Sequence, residues 1–368
     1  MNHFKRTWAE IDLSAIRRNY QAVRCRVDPG VKVMAVVKAN AYGHGVERVA
    51  PLLAELGADY FGVSCLQEAV ELRNLGITQP VLILGYTPPA YYETLCQFQI
   101  TQTVFDLESA ENYSAYCLSK GQRGKVHIAL DTGMGRIGFD AFDPAAAAAT
   151  VQQIAALPGL DAEGMFSHFS VADTPGGEDY TQAQFDRFVQ VRNLLKEQGL
   201  SLLCHLANSA GVFSDPAYQL DMVRAGIVLY GQEPGGRSNP FCPAMTLKTV
   251  VSYVKDLPAD RDISYGRRYT TPAPCRVATL SVGYADGYPR CLSGVGQVLI
   301  GGQLAPVIGT VCMDQLMVDV TGIPCRAGDE AILMGGGIDF NEVAQQAGTI
   351  HYELICGISK RVPRIYKD

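Results

Sequence analysis

Between residues 8 and 240, short apolar runs at 31–37, 61–64, 81–85, 100–104, 125–130, 162–166 and 203–207 alternate with helix-like stretches such as 13–26, 67–75 and 181–198. Continuous apolar runs of that length suit strands buried on both faces, and helices between them call for parallel pairing. The span fits a closed (β/α)8 barrel of the TIM type better than an open sheet, and no G-x-G-x-x-G turn supports a dinucleotide fold. Past residue 240 the texture changes: 275–283, 297–300, 304–308, 316–320 and 330–334 read as strands separated by Gly, Pro and Asp turns. The expected fold class is α/β plus β, with a barrel over 8–240 and a mainly β domain over 241–368 on which residues 1–7 pack. The tract at 144–151, with five consecutive alanines, reads as helix rather than linker.

Composition narrows the partners. A formal charge of −6 with scattered basic residues excludes a nucleic-acid surface. No apolar stretch is long enough to span a bilayer, and MNHFKRTWAE has no signal-peptide core, so a soluble cytoplasmic protein is expected. Eleven cysteines lie singly with no C-x-x-C pair, which points to neither a zinc nor a redox site, and no metal is expected. Cys312, in an apolar strand beside Met313, reads as a packing residue rather than a nucleophile.

The run at 31–37 ends in Lys38, followed by a glycine-bearing turn with Tyr42 and His44. The carboxyl end of a barrel strand is where catalytic residues collect, and a partly desolvated lysine there can form a Schiff base with a carbonyl cofactor. The segment alone equally suits a lysine that ends a strand and reaches solvent. Further clusters follow later runs. Three glycines around Arg136 present a guanidinium suited to a carboxylate, or a structural arginine in a tight turn. His168 stands at a strand end, and Asn208 and Ser209 open a helix, as caps or as part of a phosphate cradle. Arg224 precedes Gly226, whose N–H can approach a ligand closely. Phosphate sites are common on the late loops of such barrels, which suggests a phosphorylated cofactor.

Together these clusters resemble the alanine racemase family, nearly end to end. The match comprises AVVKANAYGHG at 35–45, DTGMGRIGF at 131–139, the HF pair at His168, NSAG at 208–211 and VRAGI with LYG at 223–231. It continues through ISYG at 263–266, GYADGYPR at 283–290, CMDQLMVDV at 312–320, HYELIC at 351–356 and RVPR at 361–364. The resemblance implies pyridoxal 5′-phosphate on Lys38 and two-base interconversion of L- and D-alanine. Lys38 would serve the D side and Tyr265, from the other subunit of a homodimer, the L side. A phenol with an ordinary pKa of about 10 needs nearby positive charge or hydrogen bonds to act as a base, and His168 and Arg224 would supply them. In the family Arg224 faces the pyridine nitrogen, where a guanidinium cannot donate its proton and keeps the ring a weaker electron sink. Tyr42, Asn208, Ser209, Gly226, Ile227 and Tyr352 correspond to cofactor contacts. Arg136 and the partner's Met313 correspond to carboxylate contacts, and Tyr284 lines the substrate corridor.

Two positions depart from the family. A carbamylated lysine often pairs with the loop arginine; here Ala129 occupies that position, so a bound anion such as chloride near Arg136 is expected instead. A corridor arginine is often found where this chain has Thr310, which bears on access and selectivity. Alternative readings are a serine or broad-specificity racemase, some of whose relatives are soluble domains of membrane-anchored proteins, and a pyridoxal-dependent decarboxylase of the same architecture. A decarboxylase would need neither Arg136 on the carboxylate nor Tyr265 as a second base. A binding-only carrier on a similar barrel would lack residues 241–368. Tyr352 favours alanine, because a ring near the cofactor leaves little room for a hydroxymethyl group.

Overall fold

The computed structural model describes residues 6–232 and 241–368, so the sequence boundary at residue 240 and the packing of residues 1–5 lie outside the described residues. Contacts divide the chain into two compact units. Among the described residues, one holds 17–41, 46–232 and 241–242; the other holds 6–16, 42–45 and 243–368.

In the first unit eight strands pair in parallel, in the order Met222–Ala225, Lys32–Val36, Tyr60–Val63, Val81–Ile83, Thr101–Val104, Gly124–Asp131, Leu160–Phe166 and Leu203–His205. The two ends of this order approach through the Arg224 N–H, which donates to the Ala207 carbonyl at 2.9 Å. A parallel, helix-covered sheet buries both strand faces, and Val33, Met34, Ala35, Phe61, Val81 and Ile128 are all fully buried. The helix Pro144–Ala155 starts where helix chemistry directs: Asp143 accepts from the N–H groups of Ala145 and Ala146, and Pro144 takes the first turn.

The second unit is mainly antiparallel. Its 13-residue strand Met245–Leu257 pairs with Glu330–Met334, Cys275–Leu280 and Thr7–Asp12. Pairings Cys275–Leu280 with Leu316–Asp319, then Gln303–Ile308, Gln297–Ile300 and back to Glu330–Met334 complete a six-strand ring without free edges. Thr7–Asp12 and Arg364–Lys367 extend it on one side. Two helices, Phe340–Ala347 and His351–Cys356, accompany the strands. Among the described residues no helix is long and apolar enough to cross a membrane.

A buried carboxylate ties distant parts of this unit together. Asp286 receives Arg6 Nη1 at 2.8 Å and Nη2 at 3.1 Å, Arg361 Nε at 2.8 Å and the Gly283 N–H at 3.0 Å. Burial alone would raise its pKa, but the two arginines and Gly283 outweigh that and hold it below the usual carboxylate range. A folded-state pKa below the unfolded one gives stability that is present above the unfolded value and lost as pH falls through the folded one. Asp286→Asn is therefore expected to lower stability by about 2 kcal/mol at pH 7, through loss of hydrogen bonds to a charged group. The deficit should shrink toward zero as pH falls below about 4, read from urea melts at several pH values. A deficit that does not depend on pH would contradict this account.

Candidate active site

Lys38 follows the strand Lys32–Val36 by two residues and is half-buried. Beyond it the backbone winds left-handed through four non-glycine residues, with φ of 53°, 55°, 52° and 51° at Ala39, Asn40, Ala41 and Tyr42. That conformation costs roughly 1–2 kcal/mol per residue, so its surroundings must enforce it. Ala41 N donates to Val37 O at 2.9 Å, Ala39 N to Glu68 Oε1 at 2.7 Å, and Val46 N to Asn40 Oδ1 at 2.8 Å. Within the β unit, Gly43 has φ of +78°, and a Cβ there would sit 2.2 Å from the Ile355 carbonyl oxygen. That close approach, with Arg364 Nε donating to Gly43 O at 2.9 Å, holds 42–45 against the helix His351–Cys356. The Tyr42 and Tyr352 rings consequently stand 6.3 Å apart.

Arg224 is buried within the short strand Met222–Ala225. Its Nη1 donates to His205 Nδ1 at 2.8 Å and His205 O at 3.0 Å. Its Nη2 reaches Ser167 O at 2.7 Å, His168 Nδ1 at 3.0 Å and Leu206 O at 3.0 Å. Among the described residues nothing accepts from Nε. Burial first, and then the charge of Arg136, bring the guanidinium down to about 9, so it stays charged at neutral pH. A guanidinium only donates, so His168 accepts at Nδ1 and carries its hydrogen on Nε2. Burial, then the positive charges of Arg224, Arg136 and Lys38, push His168 well below the usual imidazole range, leaving it neutral. Gln184 fixes the segment: its Nε2 donates to His168 O at 3.0 Å and its Oε1 accepts the Ser170 N–H at 3.0 Å.

Behind Arg224 the polar chain continues. His205 Nε2 lies 2.8 Å from His127 Nδ1. Burial, followed by the charge of Arg224, lowers both imidazoles, His127 to about 3.

Asp131 shapes the arginine loop by accepting the Gly133 and Gly135 N–H groups at 2.9 and 3.0 Å. Arg136 is exposed on that loop and makes no ion pair among the described residues, while Ala129 is buried in the strand Gly124–Asp131. Asn208 caps the helix Ser209–Phe213 by accepting from Gly211 N at 3.0 Å. Ser209 Oγ accepts the Gly226 N–H at 3.0 Å, so this N–H, expected at a phosphate, is engaged within the protein, and the Ser209 hydroxyl hydrogen remains to donate. Ile227 opens a 3-10 turn, Ile227–Tyr230.

In the β unit the backbone gathers Tyr265, Tyr284 and Met313. Thr310 is buried, and its Oγ1 donates to the Tyr265 carbonyl at 2.8 Å while its own carbonyl accepts from Ser264 Oγ at 2.5 Å. Tyr284 N donates to Cys312 O and Ala285 N to Met313 O, each at 3.0 Å. Cys312 is half-buried, its Sγ 3.4 Å from Ser264 Oγ. The three anchored side chains are nonetheless 72%, 42% and 53% exposed for Tyr265, Tyr284 and Met313.

The barrel unit therefore joins His168 and Arg224 directly, with Lys38 and Arg136 acting on the same imidazole, and the β unit joins Tyr42 to Tyr352 and clusters Tyr265, Tyr284 and Met313. Sequence reasoning missed His127, His205 and Gln184. The first two were signalled only as lone titratable residues inside apolar strands.

Residues 11–234 match the profile of the alanine racemase N-terminal domain, and 244–366 that of the alanine racemase C-terminal domain. The alanine racemase of Clostridium perfringens (strain SM101 / Type A) is 46% identical over 98% of this chain and 95% of its own. The structure of the alanine racemase of Clostridium difficile 630 superposes with a TM-score of 0.94 at 39% identity, over 100% of this chain and 97% of its own. That of Bartonella henselae, described with covalently bound pyridoxal phosphate, gives 0.89 at 28% identity over 98% of this chain and 99% of its own. The barrel with its buried Arg224, the β ring and the two profile matches in sequence order place this chain in the alanine racemase family.

Proposed function

We propose that this chain interconverts L- and D-alanine with pyridoxal 5′-phosphate held on Lys38, as a homodimer whose subunits share each active site. One observation carries the reading: a buried, charged guanidinium gives its Nη hydrogens to carbonyls and neutral imidazoles, and among the described residues leaves Nε alone unengaged. A pyridine nitrogen, an acceptor without a proton to give, matches that remaining donor. Within the barrel unit the Ser209 hydroxyl and the Ile227 N–H supply donors for a phosphate, the family resemblance adds Tyr42 and Tyr352, and the Lys38 amine suits an aldehyde carbon.

When bound, the cofactor withdraws electron density from the substrate and makes its Cα–H acidic. Lys38 Nζ takes or gives the proton on the D side of Cα. Tyr265 Oη, from the second copy, does so on the L side. The Nε2–H of His168 donates to that phenolic oxygen, and the charge of Arg224 behind it lowers the cost of the ionised phenol. Arg136 grips the substrate carboxylate together with the backbone N–H of Met313 from the partner. The exposure of Tyr265, Tyr284 and Met313, despite their firmly anchored backbones, supports their facing a second subunit.

Arg136 carries no carboxylate partner among the described residues, so a small anion such as chloride completes its neutralisation. Arg136→Gln is expected to raise KM for alanine about 10- to 100-fold, with a smaller effect on kcat, through loss of a charged hydrogen bond. A refined crystal structure with no anion density beside Arg136 would rule the anion out. The reading as a whole is tested by chiral chromatography of L-alanine and L-serine incubated with the protein and pyridoxal phosphate. Alanine ahead of serine supports it; serine ahead would make this a serine racemase, and no D product would overturn racemisation. Leakage onto serine is expected, since one hydroxyl is worth about 1–3 kcal/mol in such a pocket.

A further inference from the structure

The position of His127 makes little sense for a residue that only fills space. It sits in the strand Gly124–Asp131, fully buried, where an aliphatic side chain would pack without a polar atom to satisfy. Its ring is accommodated at a local cost in regularity: the pairing with Leu160–Phe166 shifts register between Val126 and His127, opposite Gly164. A Cβ on Gly164 would lie 2.5 Å from the His127 Cε1, so only glycine leaves the imidazole room.

Counting hydrogens gives the ring a task. Arg224 only donates, so His205 Nδ1 must accept and His205 Nε2 must carry the hydrogen. That hydrogen points across 2.8 Å to His127 Nδ1, which must therefore accept in turn, placing the His127 hydrogen on Nε2. His127 Nε2 is buried and has no hydrogen-bond partner among the described residues. The one unsatisfied N–H of the network is thus moved two imidazoles away from the guanidinium. Without an acceptor at 127, His205 would either bury its Nε2–H unpaired or move the hydrogen to Nδ1, where it would oppose the hydrogen of Arg224 Nη1.

We propose that His127 is a positioning residue: by accepting from His205 Nε2, it locks His205 in the tautomer that holds Arg224 square, and so fixes the Arg224 Nε donor that meets the cofactor ring. The consequence for turnover rests on the function proposed above, whereas the tautomer lock does not. Six histidines make the test tractable. Long-range 1H–15N spectra of the full-length holoenzyme labelled with 15N-histidine, at pH 7, are compared for wild type, His127→Leu and His127→Asn, together with alanine kinetics.

In wild type, His127, His205 and His168 are each expected as the Nε2–H form. His127→Leu, which removes the acceptor but keeps bulk, is expected to shift His205 toward Nδ1–H and to lower kcat about 10- to 100-fold, the cost of a small misplacement of an orienting group. KM should stay within about threefold. His127→Asn, whose side-chain oxygen can stand in for Nδ1, is expected to restore both the tautomer and most of kcat. A purely structural role would track thermal stability instead and would not follow the acceptor. A wild-type His205 protonated on Nδ1, or a His127→Leu variant with unchanged His205 signals and kcat, would overturn the proposal. If the leucine variant fails to fold, the wild-type and asparagine spectra decide it. The expected tautomers in a protein that turns over no alanine would uphold the lock and overturn only the reading of function.

Discussion

Lys38→Ala is expected to reduce racemisation of alanine by roughly 10⁴-fold or more, because the proposed function asks one residue both to hold the cofactor and to exchange a proton at Cα. Losses at a group with two tasks do not divide between them, so the variant should fall to the level set by free cofactor in solution. The cofactor would be held only by its phosphate and ring contacts, and dialysis should remove it far more readily than from wild type. Borohydride treatment followed by peptide mapping separates the tasks: in wild type the reduced adduct should map to residue 38, and in the variant no adduct should form. Retention of even one hundredth of the wild-type rate, or an adduct on another lysine, would mean that Lys38 only terminates its strand. Folding should be little affected, since the side chain is half-buried and the strand Lys32–Val36 ends before it.

The second large effect is expected at Arg224, where stability and chemistry fail together. Arg224→Leu takes the guanidinium away from three backbone carbonyls and two imidazole nitrogens in the barrel interior, leaving the His205 carbonyl only the Ser167 N–H at 3.4 Å. Removing one side of such a buried charged network costs about 3–5 kcal/mol. Turnover should fall about 100- to 1,000-fold in whatever protein still folds, because the variant lacks both the proposed ring-nitrogen contact and the charge behind His168. Arg224→Lys is the sharper test. It keeps the charge but replaces a planar fork with a single ammonium, which cannot reach His205 and His168 at once. The lysine variant is therefore expected to recover part of the stability, read by thermal melting, and little of the activity. Full recovery of turnover by lysine would show that charge alone matters and geometry does not.

How much of this was legible beforehand follows from what each residue does locally. Strands such as Lys32–Val36 and Thr101–Val104 stood out as apolar runs because both faces of a parallel sheet are buried. Met222–Ala225 did not read as the eighth strand: it has four residues, and Arg224 breaks its apolar pattern. In the second unit, Met245–Leu257 carries Lys248, Lys255 and Asp256 and is largely exposed along its second half, so it shows no continuous run. Phe340–Ala347 and His351–Cys356 are too short for their periodicity to rise above the surrounding strands. At the site, positions at strand ends and in glycine turns drew attention to Lys38, Arg136, His168 and Arg224, whereas Tyr265 entered only through the family resemblance. The imidazoles of His127 and His205 were absorbed into hydrophobic runs, since a buried polar residue declares itself only when the groups it meets across the barrel are known. The Gly226 N–H was read as open to a ligand, and only the fold brings the Ser209 hydroxyl up to it.

The left-handed winding of 39–42 bears on chirality itself. L-residues resist that turn at every step, whereas residues of the opposite hand would favour it. A chain assembled by chemical ligation with D-alanine at positions 39 and 41 would relax the segment that follows Lys38 instead of straining it. The backbone beside the lysine proposed to handle both mirror forms of alanine is thus itself shaped for residues of the other hand.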